Sequence, residues 1–234
     1  MEEIINTVFG PMAVVPTDAR IGEELKRKGC WDILEIVDTI QYFEQYAPKD
    51  IGVILDVGCN IGAWTLPIAR RYPDAKVISF DCQEYLIRCL DKTIDLNKIT
   101  NVQTSVTAIS DCNETMRYGS IDYTWGGNFG AFELETPHHN SDFNGRVLPG
   151  RFEEIEKRTI DSFNLNNVSL IKIDVEGMEL KVLSGARETL QRCRPVVLFE
   201  HHKTDRTKAE ALLRELGYRI ANGIGQMTCA VFNK

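Results

Sequence analysis

Short unbroken apolar runs alternate with stretches of helical spacing through most of this chain. Val53-Ile54-Leu55 opens a run that passes through Asp56-Val57 and ends at Gly58. Such a run reads as a strand buried on both faces. Ala63, Leu66, Ala69 and Arg70 then fall on or near helical spacing. Lys76 to Phe80 reads as a second strand ending at Asp81, and Leu86, Cys89, Leu90 and Ile94 mark a second helix. Val102 to Ile109 is a third strand ending at Ser110-Asp111. The rhythm resumes with a strand from Leu170 to Val175 and a helix carrying Leu180, Leu183, Ala186 and Leu190. Val196 to Phe199 is the next strand, ending at Glu200, and Leu212, Leu213 and Leu216 belong to the next helix. Tyr218 to Ala221 and Met227 to Phe232 are close enough to pair as an antiparallel hairpin. Strand–helix alternation with right-handed crossovers predicts an α/β fold: a mostly parallel sheet, helices on both faces, and a C-terminal antiparallel hairpin.

Two segments depart from that rhythm. Residues 1–50 form an N-terminal cap, with turn signals at Gly10-Pro11 and Pro16-Thr17-Asp18 and room for a short hairpin from Val8 to Val15. From Trp31 to Ala47 an apolar stripe of Ile33, Ile36, Val37, Ile40, Phe43 and Ala47 predicts a helix, stopped by Pro48. This segment is expected to pack on the sheet or cover its ligand edge. Residues 112–158 are long, polar and glycine-rich, and read as a hairpin or lid that shapes a substrate pocket. The 234 residues are taken as one domain.

Composition narrows the partners. The formal charge is −7 with no basic tract, which makes a nucleic-acid backbone a poor default partner. No run approaches the roughly 18 apolar residues of a membrane span, so no membrane partner is expected. The first residues carry two glutamates and no basic cluster, unlike a signal peptide. Seven cysteines lack C-x-x-C or zinc spacing and read as reduced thiols of a cytoplasmic compartment. The sequence sets no oligomeric state.

The chemistry concentrates at the first strand–glycine–helix turn. Its spacing, Asp56-x-Gly58-x-x-x-Gly62, places Asn60 where a dinucleotide fingerprint has a glycine. That glycine lets backbone approach a pyrophosphate, so a phosphate-free ligand is favoured. Asp56 suits a ligand bearing a cationic amine. S-adenosylmethionine has an amine, a sulfonium and no phosphate.

Four stretches occur together in order: Asp56-Val57-Gly58-Cys59-Asn60-Ile61-Gly62, Ala108-Ile109-Ser110-Asp111, Thr159-Ile160-Asp161-Ser162 and Ile171-Lys172-Ile173-Asp174-Val175-Glu176-Gly177-Met178-Glu179. Together they resemble the FkbM-type methyltransferases, a branch of the class I S-adenosylmethionine-dependent fold with its Rossmann-like sheet. The resemblance runs from about Asp50 to the C-terminus, and Gly10-Pro11-Met12 and Gly29-Cys30-Trp31 extend it toward the N-terminus. Where the family usually has Phe-Glu-Pro, this chain has Phe80-Asp81-Cys82, a shorter carboxylate without the proline. The resemblance implies S-adenosylmethionine as cofactor and methylation of an oxygen on a small molecule or sugar.

The candidate residues follow, each with a structural alternative. Gly58, Asn60 and Gly62, with Asp56, are expected to cradle the methionine end of the cofactor, or else merely to form a turn. Asp81 is expected to accept the ribose hydroxyls, or only to cap a helix. Thr107 and Ala108 are expected to border the adenine with a backbone amide, or to be ordinary strand residues. Asp174 and Glu176 are candidate catalytic groups if the strand stays extended; the alternative is an ion pair between Lys172 and Asp174. Glu200-His201 ends the next strand, and His201 is the third catalytic candidate. His138-His139 and His201-His202 lack metal-motif spacing, and no metal is assigned. A dinucleotide oxidoreductase and a non-catalytic adenosine-ligand binder remain as alternatives.

Overall fold

The structure, a computed structural model, describes residues 2–135 and 142–233. The chain opens with a hairpin, β1 (Glu3–Thr7) and β2 (Gly10–Val14), followed by helices α1 (Ile21–Lys28) and α2 (Ile33–Tyr46). The alternating part begins with β3 (Val53–Val57), α3 (Thr65–Arg71), β4 (Lys76–Asp81), α4 (Glu84–Asn97) and β5 (Val102–Val106). Then come β6 (Ala108–Ile109), β7 (Glu114–Ile121) and β8 (Val147–Arg158). The remainder is β9 (Val168–Ile173), α5 (Glu179–Ser184), α6 (Arg187–Cys193), β10 (Val196–Glu200), α7 (Arg206–Glu215), β11 (Tyr218–Ile224) and β12 (Met227–Phe232).

Seven strands form the main sheet in the order β11-β12-β10-β9-β3-β4-β5. Pairings from β10 to β5 are parallel, and β12 is antiparallel to both its neighbours. The terminal hairpin is therefore not appended at the edge: its last strand inserts between β10 and β11. The apolar runs explain the layers. Leu55, Val57, Ile171, Ile173, Val197 and Phe199 face a core with α5, α6 and α7. Their alternates Ile54, Leu170 and Leu198 pack against Ile36 and Phe43 of α2 and Ile68 and Ala69 of α3.

Several local expectations shift. The third strand breaks at Thr107, whose amide donates to the Asp81 carbonyl, 2.9 Å, and Ala108–Ile109 leave to pair with Lys157 and Arg158 of β8. The helix read through Leu180 and Leu190 is two helices. It breaks at Gly185, where an added Cβ would lie 2.1 Å from the Ser110 carbonyl oxygen. The N-terminal hairpin starts earlier than Val8, and α1 carried no sequence expectation. Of the α2 stripe, Ile36 and Phe43 are buried, whereas Ile33 and Val37 are exposed. The segment 112–158 holds the antiparallel pair β7–β8, joined by β6 into a three-stranded sheet. The β1–β2 hairpin packs on α4 through Met12 to Val15 against Leu86 and Cys89, and the Thr93 hydroxyl accepts the Ala13 amide, 3.0 Å. No helix among the described residues is long and apolar enough to cross a membrane.

Candidate active site

Two connected hollows lie along the carboxyl ends of the parallel strands. A narrow pocket of about 50 Å³ has an apolar wall of Phe80, Ile109, Phe132, Leu134 and Met178. A cleft of about 650 Å³ extends toward the N-terminal segment and the terminal hairpin. Gly58, Asp81, Gly130, Asp174 and Glu176 border both.

The glycine turn is set by backbone crowding. Gly58 has φ +84°, and a Cβ there would lie 1.7 Å from the Asp174 carbonyl oxygen. Gly62 has φ +85°, and its Cβ would meet Leu90 at 2.3 Å. Asn60 also takes a left-handed φ, +53°, a conformation asparagine tolerates. Its amide donates to one Asp81 oxygen, 2.9 Å, while the Gln83 amide donates to the other, 2.9 Å. Asp81 thus ties two loops together at the junction of the hollows. Burial pushes its carboxyl up to about 6, against the pull of those two amides.

Not every sequence candidate faces the hollows. Asp56 is fully buried and borders neither. It accepts from the Thr65 hydroxyl, 2.6 Å, and stands 3.6 Å from the Lys172 ammonium. The expected contact to a cationic ligand is therefore corrected to an anchor beneath the turn. Thr107 and Ala108 border the narrow pocket, but the Thr107 amide is already spent on Asp81. His201 points away: its Nδ1 is 3.0 Å from the Thr228 hydroxyl, and it borders neither hollow. Its neighbour His202 lines the cleft instead. His138-His139 lie outside the described residues.

Asp174 and Glu176 do converge, by a route the extended-strand argument missed. The strand ends at Ile173, and Glu176 has φ +54°. Glu179, fully buried, clamps this turn by accepting the Val175 amide, 2.9 Å, and the Gly177 amide, 3.1 Å. Glu200 joins from β10, and oxygens of Asp174, Glu176 and Glu200 all lie within 4.8 Å of one another. Among the described residues these three could share a cation, although the sequence assigned no metal.

Two lysines stand behind the cluster. Lys172 donates to Asp174, 3.1 Å, so the structural ion pair exists. Burial would depress its ammonium, but Asp174, Asp56 and Glu35 outweigh it and raise the Lys172 pKa. Lys203 pairs with Glu176 at 2.7 Å and reaches Glu133 and Asp142 of the insertion. Burial pushes Glu176 up to about 7, with Lys203 opposing and Asp174 adding to the rise. Burial, then Asp174, Glu176 and Glu179, push Glu200 up to about 8.

Glu35, Trp64, Glu179 and Lys203 carried no role in the sequence reading. Only Glu179 had a signal, its place in the Lys172–Glu179 stretch. The others reach the cleft from elements distant in sequence.

A parallel sheet with one inserted antiparallel strand, a glycine turn after β3 and an acidic residue ending β4 define a class I methyltransferase-like α/β fold. The Methyltransferase FkbM domain model matches residues 56–220, and the chain belongs to that family. It is 26% identical over 194 residues to methyltransferase sdnD of Sordaria araneosa, covering 71% of this chain and 73% of that protein. To the 2-O-methyltransferase NoeI of Sinorhizobium fredii it is 28% identical over 155 residues, 61% of this chain and 60% of that one. The solved structure of an FkbM methyltransferase from Methylobacillus flagellatus KT superposes with a TM-score of 0.51 at 14% identity. The alignment spans 87% of this chain and 56% of that one.

Proposed function

We propose that this methyltransferase uses S-adenosylmethionine and transfers a methyl group to a hydroxyl oxygen of a small molecule or sugar. The observation that carries the reading is the joining of a narrow apolar pocket to a wide acidic cleft across Gly58, Asp81, Asp174 and Glu176. The apolar wall of the pocket suits one face of a purine ring. Asp81 at the junction keeps a free lone pair on each oxygen for a ribose hydroxyl. Asn60 in the turn suits a ligand without phosphate. The name of the relative NoeI, a 2-O-methyltransferase, supports oxygen as the acceptor atom.

When bound, the cofactor supplies a methyl group on a positively charged sulfonium. The chain then has two tasks: to hold a hydroxyl in line with that methyl, and to take its proton. Glu176 borders both hollows, and a carboxyl pushed up to about 7 is near the ideal for a proton acceptor at neutral pH. Asp174, ion-paired with Lys172, holds the Gly58 turn through its backbone and orients the hydroxyl. Seven free cysteines fit a reducing, cytoplasm-like compartment.

A thermal-shift titration tests the reading. S-adenosylhomocysteine should raise the melting temperature and NAD should not. Methyl transfer from labelled S-adenosylmethionine to a hydroxyl acceptor separates an enzyme from a mere binder. Stabilisation by NAD alone defeats the assignment.

A further inference from the structure

Strand order lays out the cleft. Neighbouring strands lie about 4.8 Å apart, and β4, β3, β9 and β10 are successive neighbours. Glu200 at the end of β10 is therefore three strands, roughly 14 Å, from Asp81 at the end of β4. That end of the cleft is walled by Trp31, Glu35, Trp64, Glu200, Gln226 and Met227.

Two of its polar side chains lack hydrogen-bond partners among the described residues. Trp64 is only 6% exposed, and its indole N–H finds no acceptor among the described residues. A buried donor in that state takes a water or a ligand oxygen. One Glu200 oxygen is enclosed and receives no hydrogen bond among the described residues. Glu35, facing the cleft from α2, feels the Lys172 ammonium but makes no ion pair among the described residues. The nearby cations are engaged: Lys172 with Asp56 and Asp174, Lys203 with Glu133, Asp142 and Glu176. Arg20 is stacked on Trp31, 5.5 Å from the ring centre. Within the carboxylate cluster, Asp174 and Glu176 each have an ammonium, and Glu200 has none among the described residues. Carboxylates this close hold a proton or take a counter-cation.

We propose that this end is the acceptor subsite, and that it selects a hydroxylated amine of the amino-sugar or amino-alcohol class in its protonated form. The proposal rests on the methyltransferase reading. The ammonium takes the place of the proton that Glu200 holds in the apo chain and donates to Glu200 and Glu35, and a ligand oxygen accepts from Trp64. A hydroxyl is left facing Glu176. An anionic acceptor meets surplus carboxylates and no unengaged lysine.

The test uses the full chain saturated with S-adenosylhomocysteine, titrated calorimetrically with glucosamine, glucose, glucuronate or Mg²⁺. Glucosamine should bind about tenfold tighter than glucose, the difference between charge-assisted and neutral hydrogen bonds, and glucuronate weakest. Glu200→Gln and Glu35→Gln should each bring glucosamine down toward glucose, while Trp64→Phe should weaken both. Homocysteine-adduct affinity of each variant reports whether it has folded. The wild-type panel stands even where a variant fails. Equal binding of the three sugars, no binding by any, glucuronate matching glucosamine, or Mg²⁺ alone binding in glucosamine's place overturns the proposal. Failure of S-adenosylhomocysteine itself to bind defeats the methyltransferase reading instead.

Discussion

Gly58→Ala isolates the reason for the glycine turn. A side chain here would enter the proposed cofactor cradle. The structure supplies a harder obstacle, since the added methyl would sit 1.7 Å from the Asp174 carbonyl oxygen, far inside the 3.0 Å that real contacts respect. The Cβ position is fixed by the backbone and the carbonyl oxygen belongs to it, so no rotamer relieves the overlap, and the ends of β3 and β9 must part. The φ of +84° adds the left-handed penalty of about 1–2 kcal/mol. Overpacking of this kind costs a further 1–3 kcal/mol or so. The sum, about 2–5 kcal/mol, lowers the melting temperature by about 4–20 °C at roughly 2–4 °C per kcal/mol for a chain of this size. Gly150→Ala is the control: it also has a positive φ, +71°, but nothing lies within 4 Å of its added Cβ. It should lose only the conformational part, about 1–2 kcal/mol. Calorimetric melting of both variants, with S-adenosylhomocysteine titration of each, reads the difference. Equal losses would show that φ strain alone matters and would refute the steric argument. A stable Gly58→Ala that still binds would remove the turn from the cofactor site.

Three further outcomes follow from the same geometry. Asp81→Ala should weaken S-adenosylhomocysteine binding about tenfold to a hundredfold by removing a charge-assisted acceptor, and because Asp81 also holds the Asn60 and Gln83 amides it should lower the melting temperature too; unchanged calorimetric affinity removes it from the site. Glu176→Gln should cut turnover about 10²–10⁴-fold with little change in cofactor affinity, whereas normal turnover with a lower melting temperature would leave Glu176 as the structural partner of Lys203. Glu200, raised from 4.5 to about 8, holds its proton in the folded chain after the unfolded chain has released it. Its contribution is full below pH 4.5 and is lost as pH rises through about 8, so the apo wild type should lose stability relative to Glu200→Gln across that window; a pH-independent difference in melting temperature would contradict the burial of that carboxyl.

The parallel sheet was legible because its strands are apolar on both faces and stop at glycine or acid. Asp81, Asp174 and Glu176 were legible because a carboxylate at the end of a parallel strand has one place to go, the ligand edge. Side-chain direction was not. Asp56 sits one residue before the strand's last position, and the pleat turns it inward to Thr65 and Lys172 rather than outward. His201 lies just past the end of β10 and turns to the Thr228 hydroxyl, while His202 lines the cleft. Breaks imposed by distant backbone were equally hidden. Gly185 ends a helix because of Ser110, and Thr107 ends a strand because of Asp81.

The acceptor end exposes the deeper reason. Glu35 comes from α2, Trp64 from the loop before α3, Glu200 from β10 and Gln226 from the terminal turn. Each has an ordinary local explanation in sequence: a first-turn helix glutamate, an apolar ring, a strand-end acid, a turn amide. None forms a spaced motif with another. They meet because β12 inserts beside β10, which brings Gln226 and Met227 to the end of β10, where the Gln226 carbonyl accepts the His201 amide at 3.1 Å and Met227 pairs with Glu200. The proposed cofactor contacts lie on consecutive loops of the alternating unit and can be read along the chain. The proposed acceptor contacts depend on topology, so that end of the cleft becomes readable only once the sheet is assembled.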